Sequence, residues 1–298
     1  MKKIFIIGGT TFDHIVYLPQ LPKPVPQTIH VAPFHEATGS TGSGKALNLT
    51  KLALPNTLHS IIGDDEFGKK IISFLKEQSV DFIYDIDPKG TERHFNIMDA
   101  DGGRISMFIT QSSSEISLHI EKIEEEIKDA AIVVLNIIPY TLQLFPLLKK
   151  YAKPIWTDLH DYNEGNPYHE PFIEAADYIF LSSDNLNDYK TTMQQLMARK
   201  KELVVCTHGK NGSTALTKNG EWIDQPAIQG LQLKDANGAG DSFFSGYLFG
   251  NLNNFDVQKC LQLGTICAAY CITSLQLCNA DLNEIVLMNV WEKEFAIK

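Results

Sequence analysis

The chain has 298 residues, of which 44% are hydrophobic and 21% charged, enough apolar content for one α/β domain with a modest insertion to bury a large core. A net charge of -10 provides no general attraction to phosphate backbones or anionic lipid, so nucleic acid and membrane surfaces are excluded as expected partners. The five cysteines form no CxxC pair and read as buried, reduced thiols, while the short apolar start runs at once into Asp13 and His14 without a cleavage site, so a cytoplasmic protein is expected.

In chain order, Ile4-Phe5-Ile6-Ile7 reads as a first strand buried on both faces. Residues 14–36 alternate apolar and polar and are rich in proline, which breaks the rhythm of the rest. Residues 67–78 then place apolar side chains at three- and four-residue spacing, as an amphipathic helix does. A hairpin signal, Asp101-Gly102-Gly103, sits between alternating flanks in residues 93–110. Further on, helical patterns at 120–128 and 142–151 alternate with short apolar runs at 131–135, 154–156, 178–181 and 203–206. Residues 260–278 form the longest apolar stretch, but Gln262, Gln276 and many small side chains make it a buried helix rather than a membrane span. Alternating strands and helices imply an α/β fold, a three-layer α/β/α sandwich around a mostly parallel sheet. The two odd segments, about 13–37 and 91–111, are expected to form a small β-sheet lid inserted in a single domain over residues 1–298.

The most informative segment is Asp235-Ala236-Asn237-Gly238-Ala239-Gly240-Asp241. Small residues ahead of an acid, at the start of a helix, make a turn whose backbone N–H groups point outward and can seat phosphate oxygens. Asp241 in the first turn would repel a phosphate as a ligand, but suits the work of a base taking the proton of an attacking hydroxyl. The alternative for this segment alone is an ordinary acidic helix start.

This segment resembles the D-T-x-G-A-G-D motif of the ribokinase-like (PfkB) carbohydrate and nucleoside kinases. Gly42-Ser43-Gly44-Lys45-Ala46-Leu47-Asn48 is similar to that family's G-G-x-x-x-N, residues 62–68 to its G-x-D-x-F-G, Gly8 through Asp13 to its opening strand, and residues 207–212 to its T-x-G-x-x-G turn. Together these segments, in family order, span nearly the whole chain.

The resemblance implies an ATP-dependent phosphotransferase moving the γ-phosphoryl group to a hydroxyl of a sugar or sugar-like molecule. Asp241 would be its general base, and the backbone of Gly238, Ala239 and Gly240 its anion hole. Asp13, Gly42, Gly44, Lys45 and Asn48 would contact the acceptor; Thr207, Gly209, Gly212 and Asp184 would line the nucleotide site. ATP and Mg2+ are the implied cofactors, with room for a monovalent cation, and the metal ligands stay unassigned. A nucleoside of the adenosine type is the alternative acceptor, and a non-catalytic sensor of the same fold the alternative role. Pocket specificity is expected from lid side chains such as Arg93, His94, Phe95 and Met107, and the lid is expected to pair into a homodimer.

Two departures stand out. Ser43 replaces one glycine of the G-G pair, and where the family has N-x-x-E the chain reads Ser182-Ser183-Asp184-Asn185, with no glutamate. Competing motifs fare worse. The Gly39 to Lys45 string matches the body of a Walker A loop, but Ala46 follows in place of Ser or Thr and no buried strand precedes it. The Gly8-Gly9 turn lacks G-x-G-x-x-G. Asp158, His160 and Asp161 read as a strand-end loop facing ligand rather than a metal cluster.

Overall fold

The computed structural model describes residues 3–30, 32–100 and 102–296. In chain order its strands and helices are β1 (Ile4–Ile7), β2 (Thr11–Tyr17), β3 (Phe34–Gly39), α1 (Thr41–Lys51), β4 (Asn56–Ile62), α2 (Glu66–Glu77), β5 (Asp81–Ile86), β6 (Arg93–Met98) and β7 (Arg104–Thr110). The chain continues with α3 (Ile120–Asp129), β8 (Ile132–Leu135), α4 (Phe145–Tyr151), β9 (Ile155–Asp158), α5 (Glu170–Ala175), β10 (Tyr178–Ser182), α6 (Tyr189–Met197) and β11 (Leu203–Thr207). It ends with β12 (Ser213–Thr217), β13 (Trp222–Gln225), α7 (Ala239–Leu252), α8 (Val257–Ile272) and α9 (Glu284–Phe295).

Nine strands form one sheet in the order β13-β12-β11-β10-β9-β8-β1-β4-β5. It is parallel from β11 to β5, and at one edge β12 runs against β11 and β13 against β12, so that β12 alone is reversed. Alternation along β1 divides the core: Ile4 and Ile6 join the apolar layer of α1, α2, α7 and α8, whereas Phe5 and Ile7 join the layer of α3 to α6. Both faces are covered, as the unbroken apolar runs require, and the expected α/β/α sandwich is present. A separate four-stranded sheet, ordered β3-β2-β6-β7, is built from the two segments that broke the rhythm. Asp101, part of the hairpin signal, lies outside the described residues; beside it, Asp99 accepts the Gly103 amide at 2.6 Å and Gly102 takes φ 86.

Two elements differ from the sequence reading, each for a local reason. The 142–151 pattern is split into a 3-10 turn at Pro139–Leu144 and the short helix α4, because Pro146 at the start of α4 supplies no amide to continue the turn before it. Helix α8 stops at Ile272 instead of running to residue 278, since the Thr273 hydroxyl turns back onto the Tyr270 carbonyl at 2.8 Å. Helix α7 is not amphipathic: every residue from Asp241 to Gly250 is buried, between the sheet, α1 and α8. Its backbone comes close to α8, where a Cβ on Gly246 would lie 2.7 Å from the Leu263 carbonyl oxygen. The G-x-D-x-F-G segment has a plain structural account: Asp65 caps α2 by accepting from the Phe67 and Gly68 amides at 3.0 and 2.9 Å, and ties Thr91 to the same point. Among the described residues no helix is long and apolar enough to cross a membrane.

Candidate active site

The site gathers where α1 and α7 start, beside the carboxyl ends of the parallel strands, the usual location of ligands in open α/β sheets. The Gly42-Ser43-Gly44-Lys45 string forms the first turn of α1. A Cβ at Gly42 would meet the Gly9 carbonyl oxygen at 2.5 Å, and one at Gly44 would meet Asp241 Oδ2 at 2.7 Å. Glycine at these two positions lets α1 sit against the β1–β2 turn on one side and α7 on the other. Ser43, the departure from the family pattern, leaves its Oγ buried without a protein partner.

Lys45 is completely buried, and its ammonium donates to Asp241 Oδ1 and, at 3.3 Å, to Asp158 Oδ2. One cation thus serves two buried carboxylates, one ending β9 and one in the first turn of α7. Burial would strip the Lys45 charge, but the two carboxylates outweigh it and push its pKa up. The carboxylates part company. Burial raises Asp241 above the usual aspartate range despite Lys45 and the His160 ring, whereas Asp158, as deeply buried beside the same two groups, also accepts the His160 amide at 2.9 Å and is held below that range. Asp241 is therefore the more basic of the two.

Gly238 takes φ 81 just before α7, a left-handed conformation that suits glycine. The Ala239 amide turns to the Ala236 carbonyl at 3.2 Å, so the expected anion hole is narrower than the three-residue string. The first-turn amides of Gly240 and Asp241 lack an intrahelical acceptor by geometry, and no atom lies within 4 Å of a Cβ built on Gly240. An anion can approach there.

On the second sheet, Asp13 is buried and accepts from Thr11 Oγ1 at 2.6 Å and Asn96 Nδ2 at 3.2 Å, with His94 Nδ1 3.7 Å away. Burial pushes its pKa up against these partners. Asn96 and Asn136 each leave Oδ1 buried and unpartnered; the Asn136 amide donates to Thr41 Oγ1. Neither asparagine stood out in the sequence, because each lies in an ordinary strand pattern or just after one. Of the expected lid side chains, only His94 shares the face of Asp13. Strand alternation puts Arg93, Phe95 and Met107 on the other face, where Arg93 stacks 4.4 Å from the Phe67 ring of α2. The Asn48 side-chain amide donates to the Gly44 and Leu277 carbonyls at 2.8 and 3.1 Å, while its Oδ1 stays buried without a protein partner.

Thr207 ends β11 next to Ser182 at the end of β10, so these positions share an edge of the sheet with Asp158. Gly209 and Gly212 take φ 53 and 103 in the following turn, and a Cβ at Gly212 would meet the Gln225 carbonyl oxygen at 2.1 Å. Asp184 is exposed. One position along, Asn185-Leu186-Asn187-Asp188 keeps the N-x-x-E spacing with aspartate as the acid, a match hidden in the sequence by the change of residue. Asp188 caps α6 through the Lys190 and Thr191 amides, and the Asn185 amide donates to the Asp161 carbonyl at 3.1 Å.

Comparison with known proteins decides the family. The chain is 31% identical over 275 residues to the acarbose 7(IV)-phosphotransferase of Actinoplanes sp., covering 91% of this chain and 92% of that one. It belongs to the pfkB family of carbohydrate kinases. The family model, described as pfkB family carbohydrate kinase, matches residues 171–284. A solved microbiome-derived acarbose kinase superposes with a TM-score of 0.86 at 26% identity, covering 97% of this chain and 98% of that one. A nucleoside kinase of Methanocaldococcus jannaschii is 23% identical over 285 residues, 91% of each chain. This pfkB-family protein is an ATP-dependent carbohydrate kinase, transferring a phosphoryl group to a hydroxyl of a sugar or sugar-like molecule.

In the kinase, Lys45 should be the keystone of the buried charges. Lys45→Met leaves two buried carboxylates without their cation and is expected to lower the unfolding free energy by ~3–5 kcal/mol at neutral pH, read by denaturant unfolding. Without Lys45 the two buried carboxyls take up protons more readily, so the gap between variant and parent should shrink as pH falls. A gap that widens on acidification would contradict the shared-cation account.

Proposed function

We propose that Asp241 is the general base of this kinase, that the amides at the start of α7 hold the transferring phosphoryl group, and that the acceptor is a glycoside or pseudo-oligosaccharide rather than a nucleoside. The observation that carries the reading is the raised, Lys45-anchored carboxylate of Asp241, placed in the same helical turn as the free Gly240 amide. The acceptor hydroxyl gives its proton to Asp241 as its oxygen bonds to the γ-phosphorus, and the bond to the bridging oxygen breaks to release ADP. Lys45 balances the neighbouring carboxylate of Asp158, so the site loses no counter-charge when Asp241 takes the proton.

Lys45, wholly buried against Asp158 and Asp241, would act through those carboxylates instead of touching the acceptor. Asp13 and the turn at Gly42 and Gly44 would seat the acceptor, with Asn48, Asn96, Asn136 and Ser43 as further contacts. Their buried, unpartnered oxygens favour a hydroxyl-rich ligand able to donate to each. The relatives named for acarbose support the same class. Thr207, Gly209 and Gly212 would line the nucleotide, and the four-stranded sheet would cover the acceptor as a lid within one domain.

Among the described residues no three acidic, histidine or cysteine side chains converge on a metal position, which fits an Mg2+ held chiefly by ATP oxygens and water. The exposed turn of Asp184, Asn185 and Asp188 suits that metal's water shell, and bound Mg2+ would neutralise charge on the phosphates. The five thiols are unpaired and buried, as a reducing cytoplasm favours.

The edge strand β7 exposes large apolar side chains on both faces: Ile105 is 38% exposed, Met107 45%, Phe108 58% and Ile109 50%. Such an edge favours pairing, and a homodimer through the lid is the reading it supports. Sedimentation equilibrium should then show a dimer that Phe108→Lys converts to monomer; a parent that stays monomeric at high micromolar concentration refutes it.

A coupled ADP-release assay with acarbose, maltose, ribose, fructose, adenosine and inosine tests the acceptor. Turnover should be greatest with a glycoside and be accompanied by a phosphomonoester signal in 31P NMR. Preference for adenosine or inosine would overturn the acceptor class.

A further inference from the structure

The two sheets are joined at the phosphate turn by contacts that the mechanism above does not use. The Tyr17 hydroxyl, at the end of β2, donates to Asp235 Oδ2 at 2.7 Å. The other oxygen of the same carboxylate accepts the Asn237 amide at 2.8 Å. Asp235 is buried, and its own amide reaches back to the Ile272 carbonyl at 3.3 Å, so the carboxylate is the strut of the turn that leads into Gly238. A second tie lies beside it, from Arg104 of β7 to Asn237 Oδ1 at 3.2 Å. Burial and the adjacent carboxylate push the Tyr17 phenol pKa up, so it stays a proton donor across the working pH range. Its ring stacks on His35 of β3 at 5.6 Å, which fixes the direction of the hydroxyl.

Tyr17 and Asp13 lie on one strand, four residues apart, and therefore on one face, separated by about 13 Å of extended backbone. One end of β2 carries the expected acceptor ligand and the other grips the phosphate turn. We propose that Tyr17 is a positioning residue for phosphoryl transfer. By donating to Asp235 it holds the turn that presents the Gly240 and Asp241 amides, and it links that turn to the strand that meets the acceptor. The inference rests on the reading of this turn as the seat of the γ-phosphoryl group. Seated β2 favours the set turn, and a γ-phosphoryl group on the turn favours seated β2, because both ends share one hydrogen bond.

The variant is Tyr17→Phe, which removes one oxygen and keeps the ring. The probes are Mg2+ with β,γ-imido-ATP, which carries a γ-phosphoryl mimic, and Mg2+ with ADP, which does not. Losing a hydrogen bond to a charged group should weaken the imido-ATP complex about tenfold. ADP affinity and melting temperature should stay at the parent values, amide exchange across residues 236–241 should quicken, and kcat should fall. Combined with Asp235→Asn, the effects should be less than additive, since both changes break one bond. Equal weakening of both nucleotides, or a lowered melting temperature, would make Tyr17 a structural residue and overturn the inference. Unchanged imido-ATP affinity would overturn it too. If the parent itself shows no protection of residues 238–241 by imido-ATP beyond that given by ADP, the phosphate-seat reading fails first and takes the inference with it.

Discussion

One buried ammonium, shared by two carboxylates that lie far apart in the chain, is the constraint on which the site depends. Lys45 enters from the first turn of α1, Asp158 from the end of β9 and Asp241 from the first turn of α7. Buried charges are costly unless paired, so the three must arrive together or not at all. That requirement ties the register of two helices and one central strand to a single point. It also explains the glycines around it: Gly44 admits the Asp241 carboxylate, and Gly42 lets α1 lean on the Gly9 carbonyl.

The packing behind this point is stiff. Trp156, on the strand that ends in Asp158, stacks on Tyr178 at 4.1 Å and meets Phe244 and Tyr247 of α7 edge-on or tilted. Phe244 also lies under the Lys45 ammonium, 5.0 Å from its ring centre. Helix α7 therefore has no solvent face, and its N-terminus is held where a phosphate would approach. The second sheet is attached to this floor through β2, through Phe12 and Arg93 against Phe67 of α2, and through a few polar ties. On the proposed reading, one half of the molecule fixes charge and the other would cover the acceptor and exclude water.

Much of this was legible in the sequence because the relevant signals are local. Apolar runs bounded by turn residues marked β1, β8, β9, β10 and β11, since strands buried on both faces tolerate no alternation. Small residues ahead of Asp241 marked the start of α7, because only a left-handed Gly238 permits that entry. What stayed hidden was long-range or depended on one step of register. The union of Lys45 with Asp158 and Asp241 joins residues more than a hundred positions apart, and no spacing rule reaches that far. Asn96 and Asn136 look like unremarked polar residues until the fold brings them to Asp13 and α1. Arg93, Phe95 and Met107 lie on the face opposite Asp13, which the sequence could not tell because a single residue of shift reverses a strand's faces. The acid of the N-x-x-E turn was sought at Asp184, although Asp188 keeps the motif's spacing at the cap of α6.

The central claim is that Asp241 takes the acceptor's proton, and Asp241→Asn examined under single-turnover conditions tests it most directly. Asparagine keeps the size and an oxygen for Lys45 but cannot accept the proton. The variant should bind Mg2+ and β,γ-imido-ATP with near-parental affinity in calorimetry, while the phosphoryl-transfer step slows by ~10²–10⁴. A variant that transfers phosphate at the parental rate, with the acceptor that works best, would contradict the account.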